Sequence, residues 1–94
     1  MYKHVLDKMR EGIRNRQYVM TLHAEDEMAD DGLSIFDVER AILTGKIIER
    51  QKDHQSQEWK YLVMGQTIDS QLITVVAKLS VTKKLVIITV YLEK

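Results

Sequence analysis

Apolar residues in the first part of the chain recur at helical spacing, and from Lys46 onward they alternate. Tyr2, Val5, Leu6, Met9 and Ile13 stand at i, i+3, i+4, i+7 and i+11, one face of a helix. The pattern predicts a helix over 2–16, with Lys3, Lys8, Arg10 and Arg14 largely off the stripe. Gly12 weakens that helix by about 1 kcal/mol relative to alanine. Arg14 and Arg16 suit its C-terminal end, where the dipole is negative. Residues 18–22 read as a short apolar link. Thr21 is placed to N-cap a second helix from Leu22 to Asp30, with Glu25, Asp26 and Glu27 toward its positive end. The apolar face of this helix, Ala24 and Met28, is thin. Asp31-Gly32 is a turn signal. Ser34 caps a third helix, and Asp37 three residues on makes a short-armed capping box. Ile35, Val38, Ala41 and Ile42 form its inner stripe, and Gly45 stands at the C′ position.

Beyond Gly45 the period falls to two, which predicts strands over 46–52, 58–64, 72–80 and 84–92. Residues 53–57 read as a polar hairpin loop, 65–71 as a turn and 81–83 as a tight one. Trp59, Tyr61 and Val63 share a face. The last two segments are rich in β-branched residues and nearly apolar on both sides, which puts them inside the sheet or under helices. Such short turns make an antiparallel meander. The expected architecture is α+β: two to three N-terminal helices on one face of a four-stranded antiparallel sheet, in a single domain over 1–94.

A chain of 94 residues holds one small core and buries only about 60–65% of its unfolded surface, so dimerisation would add to a marginal stability. It has no cysteine, which excludes a disulfide framework, a thiolate zinc site and a cysteine nucleophile. The opening MYKHVLDKMREG is too charged for a secretory leader. The longest apolar run, 85–90, is strand-sized against the roughly 20 residues a membrane helix needs. The expectation is a cytoplasmic protein without a membrane partner.

The net charge is zero, but it is a sum of blocks. Residues 1–22 carry five Lys/Arg and two acids, 23–39 carry seven acids and no Lys/Arg, and 40–94 carry nine basic residues and five acids. A neutral total argues against strong non-specific nucleic-acid binding and leaves a local basic face open.

His23 is the first candidate for chemistry. At a helix start the dipole favours neutral imidazole, and Glu27 at i+4 can orient the ring or complete an acid/base pair. The plainer reading is a histidine that packs or bonds to a backbone carbonyl. The acidic cluster Glu25, Asp26, Glu27, Asp30 and Asp31 offers i, i+4 pairs for a metal, but no loop has EF-hand spacing and no second histidine stands at zincin spacing. A solvated face, or a dock for a partner, explains it better. Arg50 and Lys52 share a sheet face, and with Tyr61 or Tyr91 they can bind phosphate or stabilise negative charge. The competing reading is edge-strand protection by charge. Lys78 interrupts an apolar strand, either as a charge stabiliser or as a snorkelling side chain. Trp59 and Tyr61 can stack on bases, although core packing is their commoner use. His4 and His54 have no evident partner. Ser56 and Ser80 lack a nucleophile-elbow context, and the four glycines are isolated. No cofactor is expected.

The segments HAEDEM (23–28), DGLSIFDVERAILTGKIIE (31–49), EWKYLV (58–63) and the ending VVAKLS…KLVIITVYL (75–92) resemble a family of small bacterial domains of unknown function, family 4258. Its pattern is HA-x-x-R-M, then an I-S-x-x-D-V helix, a glycine, and strands ending in I-I-T-V-Y. The resemblance covers residues 18–92. It implies a RelE/ParE-like toxin fold and, through that wider group, metal-independent RNA cleavage: acid/base catalysis at the 2′-OH with Arg or Lys stabilising the phosphorane. His23 matches the family histidine and Tyr91 the terminal tyrosine. The implied catalytic set is His23, Glu27, Arg50, Lys78 and Tyr91. Glu27 stands where the family has arginine, so an acid replaces the expected phosphate ligand.

Two function classes follow. One is a non-catalytic or degenerate interaction module of toxin-antitoxin ancestry, meeting an antitoxin-like protein or a second copy of itself through a sheet edge or the acidic helix. The other is a toxin-type endoribonuclease working through His23, with RNA as its partner.

Overall fold

The structure, a computed structural model, describes residues 2–93. Its elements run α1 (Lys3–Arg14), β1 (Tyr18–Met20), α2 (Leu22–Asp30), α3 (Ile35–Thr44), β2 (Lys46–Lys52), β3 (Trp59–Gln66), β4 (Leu72–Leu79) and β5 (Leu85–Leu92). The strands form one sheet in the order β1-β5-β4-β3-β2. From β2 to β5 it is the antiparallel meander that the short turns imply.

The expected four-stranded antiparallel sheet is corrected to a five-stranded mixed one. The apolar link contains a strand, β1, which pairs parallel to β5 through Tyr18↔Leu85, Val19↔Val86 and Met20↔Ile87. Three residues are too few to show a period, and their partner lies 67 positions on in sequence. Only the folded chain brings the two together. β3 also runs two residues further than its pattern indicated, to Gln66.

The helix signals act as read. Thr21 Oγ1 accepts the Ala24 N–H at 3.1 Å and caps α2. Ser34 and Asp37 form the reciprocal capping box of α3, and Asp37 also accepts the Ile68 N–H at 3.0 Å, tying the helix start to the β3–β4 turn. Those backbone donors hold the Asp37 carboxyl below its ordinary value.

Gly45 ends α3, but its backbone is extended rather than left-handed. Its reason is proximity. A Cβ there would lie 2.3 Å from the Met64 carbonyl oxygen, and one on Gly65 would lie 2.3 Å from that of Ala41. The two glycines let helix and strand touch backbone to backbone.

The core lies between the three helices and one sheet face, with Ala24 and Met28 of α2 part of it. Met9, Val38, Ile42, Val63, Ile73, Val75, Leu85, Ile87 and Val90 are fully buried. Burying each of the larger side chains contributes about 1.5–3 kcal/mol. Arg10, on the polar side of α1, spans to α3: its guanidinium donates to the carbonyls of Ile42 (3.0 Å) and Gly45 (2.8 Å). It satisfies C-terminal carbonyls that the helix cannot pair itself.

Candidate functional site

The predicted site residues occupy three places. His23 and Glu27 come together on α2, with His23 Nε2 3.4 Å from Glu27 Oε1. The imidazole is open to solvent, its side chain 67% exposed. The same carboxylate oxygen accepts the backbone N–H of Val90 in β5 at 3.1 Å. Six residues earlier, at the N-cap of α2, Thr21 donates its hydroxyl to the carbonyl of Ile88 at 2.8 Å, and its N–H bonds the Ile87 carbonyl.

These contacts have a common cause. β1 stops opposite Ile87, so the upper half of β5 would otherwise show unpaired backbone groups at the sheet edge. A bulge between Val76 and Ala77 in the β4–β5 pairing adds to the demand. The side chains of α2 fill it. Glu27 therefore serves the fold first, and His23 shares what is left of its carboxylate.

Lys78 and Tyr91 lie on the other face of the sheet, since their neighbours Ala77 and Val90 point into the core. They stand apart: Tyr91 is opposite Thr74, four residues from Lys78 on β4, a separation of about 13 Å. Lys78 Nζ pairs with Glu58 Oε1 at 2.9 Å. Arg50 is on β2, opposite Tyr61, on the helix-covered face. Three strand spacings, about 14 Å, separate β2 from β5. Of the five residues, the fold gathers only His23 and Glu27.

A second constellation forms at the far edge, around Arg50. Its guanidinium lies 4.0 Å from the centroid of Trp59 and 5.8 Å from that of Tyr2. Lys52 Nζ is 5.4 Å from the Trp59 ring. Tyr2 meets Tyr61 edge to face at 5.8 Å. The strand alternation paired Arg50 with Lys52 and Trp59 with Tyr61; the β2–β3 register brings the two pairs to one face, and neither that nor the contribution of Tyr2 from the other end of the chain was legible. Tyr61 is in the core, whereas Trp59, at the strand's start, stays 39% exposed.

The charge blocks separate in space. The acidic block 23–39 includes α2, which packs along β5. Lys46, Arg50 and Lys52 line β2 at the opposite edge. Near the acidic block, the Tyr18 hydroxyl donates to Glu39, and burial together with that carboxylate pushes its pKa up to about 12. Among the described residues, no three His, Cys, Asp or Glu side chains cluster as a metal site. No described helix is long and apolar enough to cross a membrane.

A family model described as a domain of unknown function (DUF4258) matches residues 20–92. The chain belongs to this family. The match takes in β1's last residue and everything from α2 through β5, the seam at Thr21 and Glu27 included. α1 and its N-cap precede it, yet supply Met9 to the core, Arg10 to the end of α3 and Tyr2 to the aromatic stack. No curated protein and no solved structure matches the chain.

Proposed function

We propose that this domain is a non-catalytic protein-interaction module of RelE-like fold and toxin-antitoxin ancestry, working in the bacterial cytoplasm, whose partner adds a strand to the free edge of β2. The observation that carries this reading is the contrast between Glu27 and β2. The carboxylate that an acid/base site at His23 requires is bonded into the β5 edge. β2, seven residues long, ends the sheet with one side unpaired among the described residues. An extended peptide gains main-chain hydrogen bonds at such an edge. Lys46, Arg50 and Lys52 against Glu49 favour an acidic one. Ile48, in the irregular stretch between Ile47 and Glu49, is 43% exposed and gives that strand an apolar anchor. Any small antitoxin-like protein found encoded beside this gene would be the first partner to test. Co-purification with slowed amide exchange over 46–52 is expected. A chain that remains strictly monomeric and retains no such protein sinks the reading, and protection over α2 instead moves the interface.

The exposed His23 beside Glu27 supports a second reading, metal-independent RNA cleavage with His23 as acid or base. Cleavage of ribosome-bound or structured RNA would then fall about 100-fold or more in His23→Ala. Intact RNA after incubation with the purified protein removes it.

A further inference from the structure

The geometry points to a stacking site for single-stranded nucleic acid at Trp59 and the groove beside it. This site uses side chains on the helix-facing side of β2 and β3. It does not depend on strand addition, which uses the outward backbone of β2.

Three features converge there. The first is an exposed flat ring on a firm support. Arg50 is held between Trp59 and Tyr2, so its charge has a fixed position and loses little further freedom on meeting a phosphate. The second is a groove of about 230 Å³ walled by Val5, Trp59, Tyr61, Leu79 and Val81. That is below the roughly 300–1,000 Å³ of pockets for whole drug-sized ligands, and it suits a single planar ring. The one acid in the lining, Glu58, is neutralised by Lys78 at 2.9 Å. This assigns Lys78 a task that the apolar pattern of β4 left open.

The third is the surrounding charge. Arg50 and Lys52 flank the ring on β2, and Lys83 and Lys84 follow Val81 in the β4–β5 turn. None of these four makes an ion pair among the described residues. The nearby Asp53 turns its carboxylate onto the Gln55 amide. An acidic peptide would use the cations and leave the ring idle, and an apolar peptide would do the reverse. A nucleotide strand uses both, the base on the ring and the phosphates on the cations. A duplex keeps its bases stacked internally and cannot present one.

Trp59 is the sole tryptophan, so intrinsic fluorescence reports on this site alone. The full chain is titrated at low salt with an oligouridylate of about eight nucleotides. Quenching is expected, with affinity falling linearly in log salt. By anisotropy of the labelled strand, Trp59→Ala should bind about tenfold or more weakly, and Trp59→Phe within a few-fold of wild type. Replacing Lys52 and Lys84 together by Gln should lower the salt slope by about two. The Phe variant and the lysine pair keep the test decisive if Trp59→Ala unfolds. The inference is overturned by any of four results: no binding of the single strand, wild-type affinity in a folded Trp59→Ala, equal binding of a duplex of the same length, or equal quenching by polyglutamate.

Discussion

At one edge of the sheet, β5 outruns the short β1, and the backbone left over is taken by Thr21 and Glu27 of α2. At the other edge, the seven-residue β2 has no strand on its outer side among the described residues, and is guarded by charged side chains and an irregular register at Ile48. Both edges meet the same problem, a row of backbone donors and acceptors that would pair with any passing strand. The stretch of β5 beyond β1 is closed by the chain's own side chains and cannot accept a partner without displacing α2. The other edge is only made selective. An acidic block covers the closed edge and a basic strand forms the open one. Candidate chemistry at an edge is best judged by which of these tasks its side chains already perform.

The contrast can be broken by substitution. The largest effect should come from neither edge and sets the scale. Gly65→Ala drives a Cβ to 2.3 Å from the Ala41 carbonyl oxygen and should cost about 3 kcal/mol or more in denaturant unfolding, as overpacking against backbone does. Next is the closed edge. Glu27→Ala leaves the Val90 N–H without its acceptor and should cost about 1–3 kcal/mol. Glu27→Gln keeps an acceptor and should recover most of that loss. If Glu27→Ala melts like wild type, the edge is not closed by this residue. At the open edge, Gln51→Ala and Lys52→Ala should change stability by less than about 0.5 kcal/mol. A larger cost would mean that β2 is supported by contacts across its outer side.

Two pH effects sharpen the picture further. The folded Tyr18 pKa, about 12, lies above its ordinary 10.0. The stability contributed by the protonated hydroxyl is therefore complete below pH 10 and is lost as pH rises through about 12. Tyr18→Phe should flatten that part of the unfolding-versus-pH curve. Asp37 shows the opposite sign. Its lowered pKa contributes stability above the ordinary carboxylate value that is lost as pH falls through the folded one. Asp37→Asn should remove this acid sensitivity at a cost of about 1 kcal/mol at neutral pH.

Much of the secondary structure was legible because its signals are local. The Ser34–Asp37 box, the Thr21 cap and the stripe of α1 act within one turn of helix, and a polar hairpin between alternating runs needs no distant partner. The site was less legible. His23 and Glu27 stand together because i and i+4 share a helix face, but their relation to Arg50, Lys78 and Tyr91 depends on strand order. Arg10 stands off the apolar stripe of α1, and no periodicity marks a side chain that crosses to another helix's end.

The sequence by itself determined where helices give way to strands, which faces are apolar, and that the charges come in blocks, because these follow from spacing and composition. Tertiary structure alone decided that residues 18–20 join the sheet beside β5, that Glu27 bonds into that edge, and that Arg50 meets both Tyr2 and Trp59. Each of these joins residues far apart in the chain, and loop closure and packing between elements, which leave no local period, select such contacts.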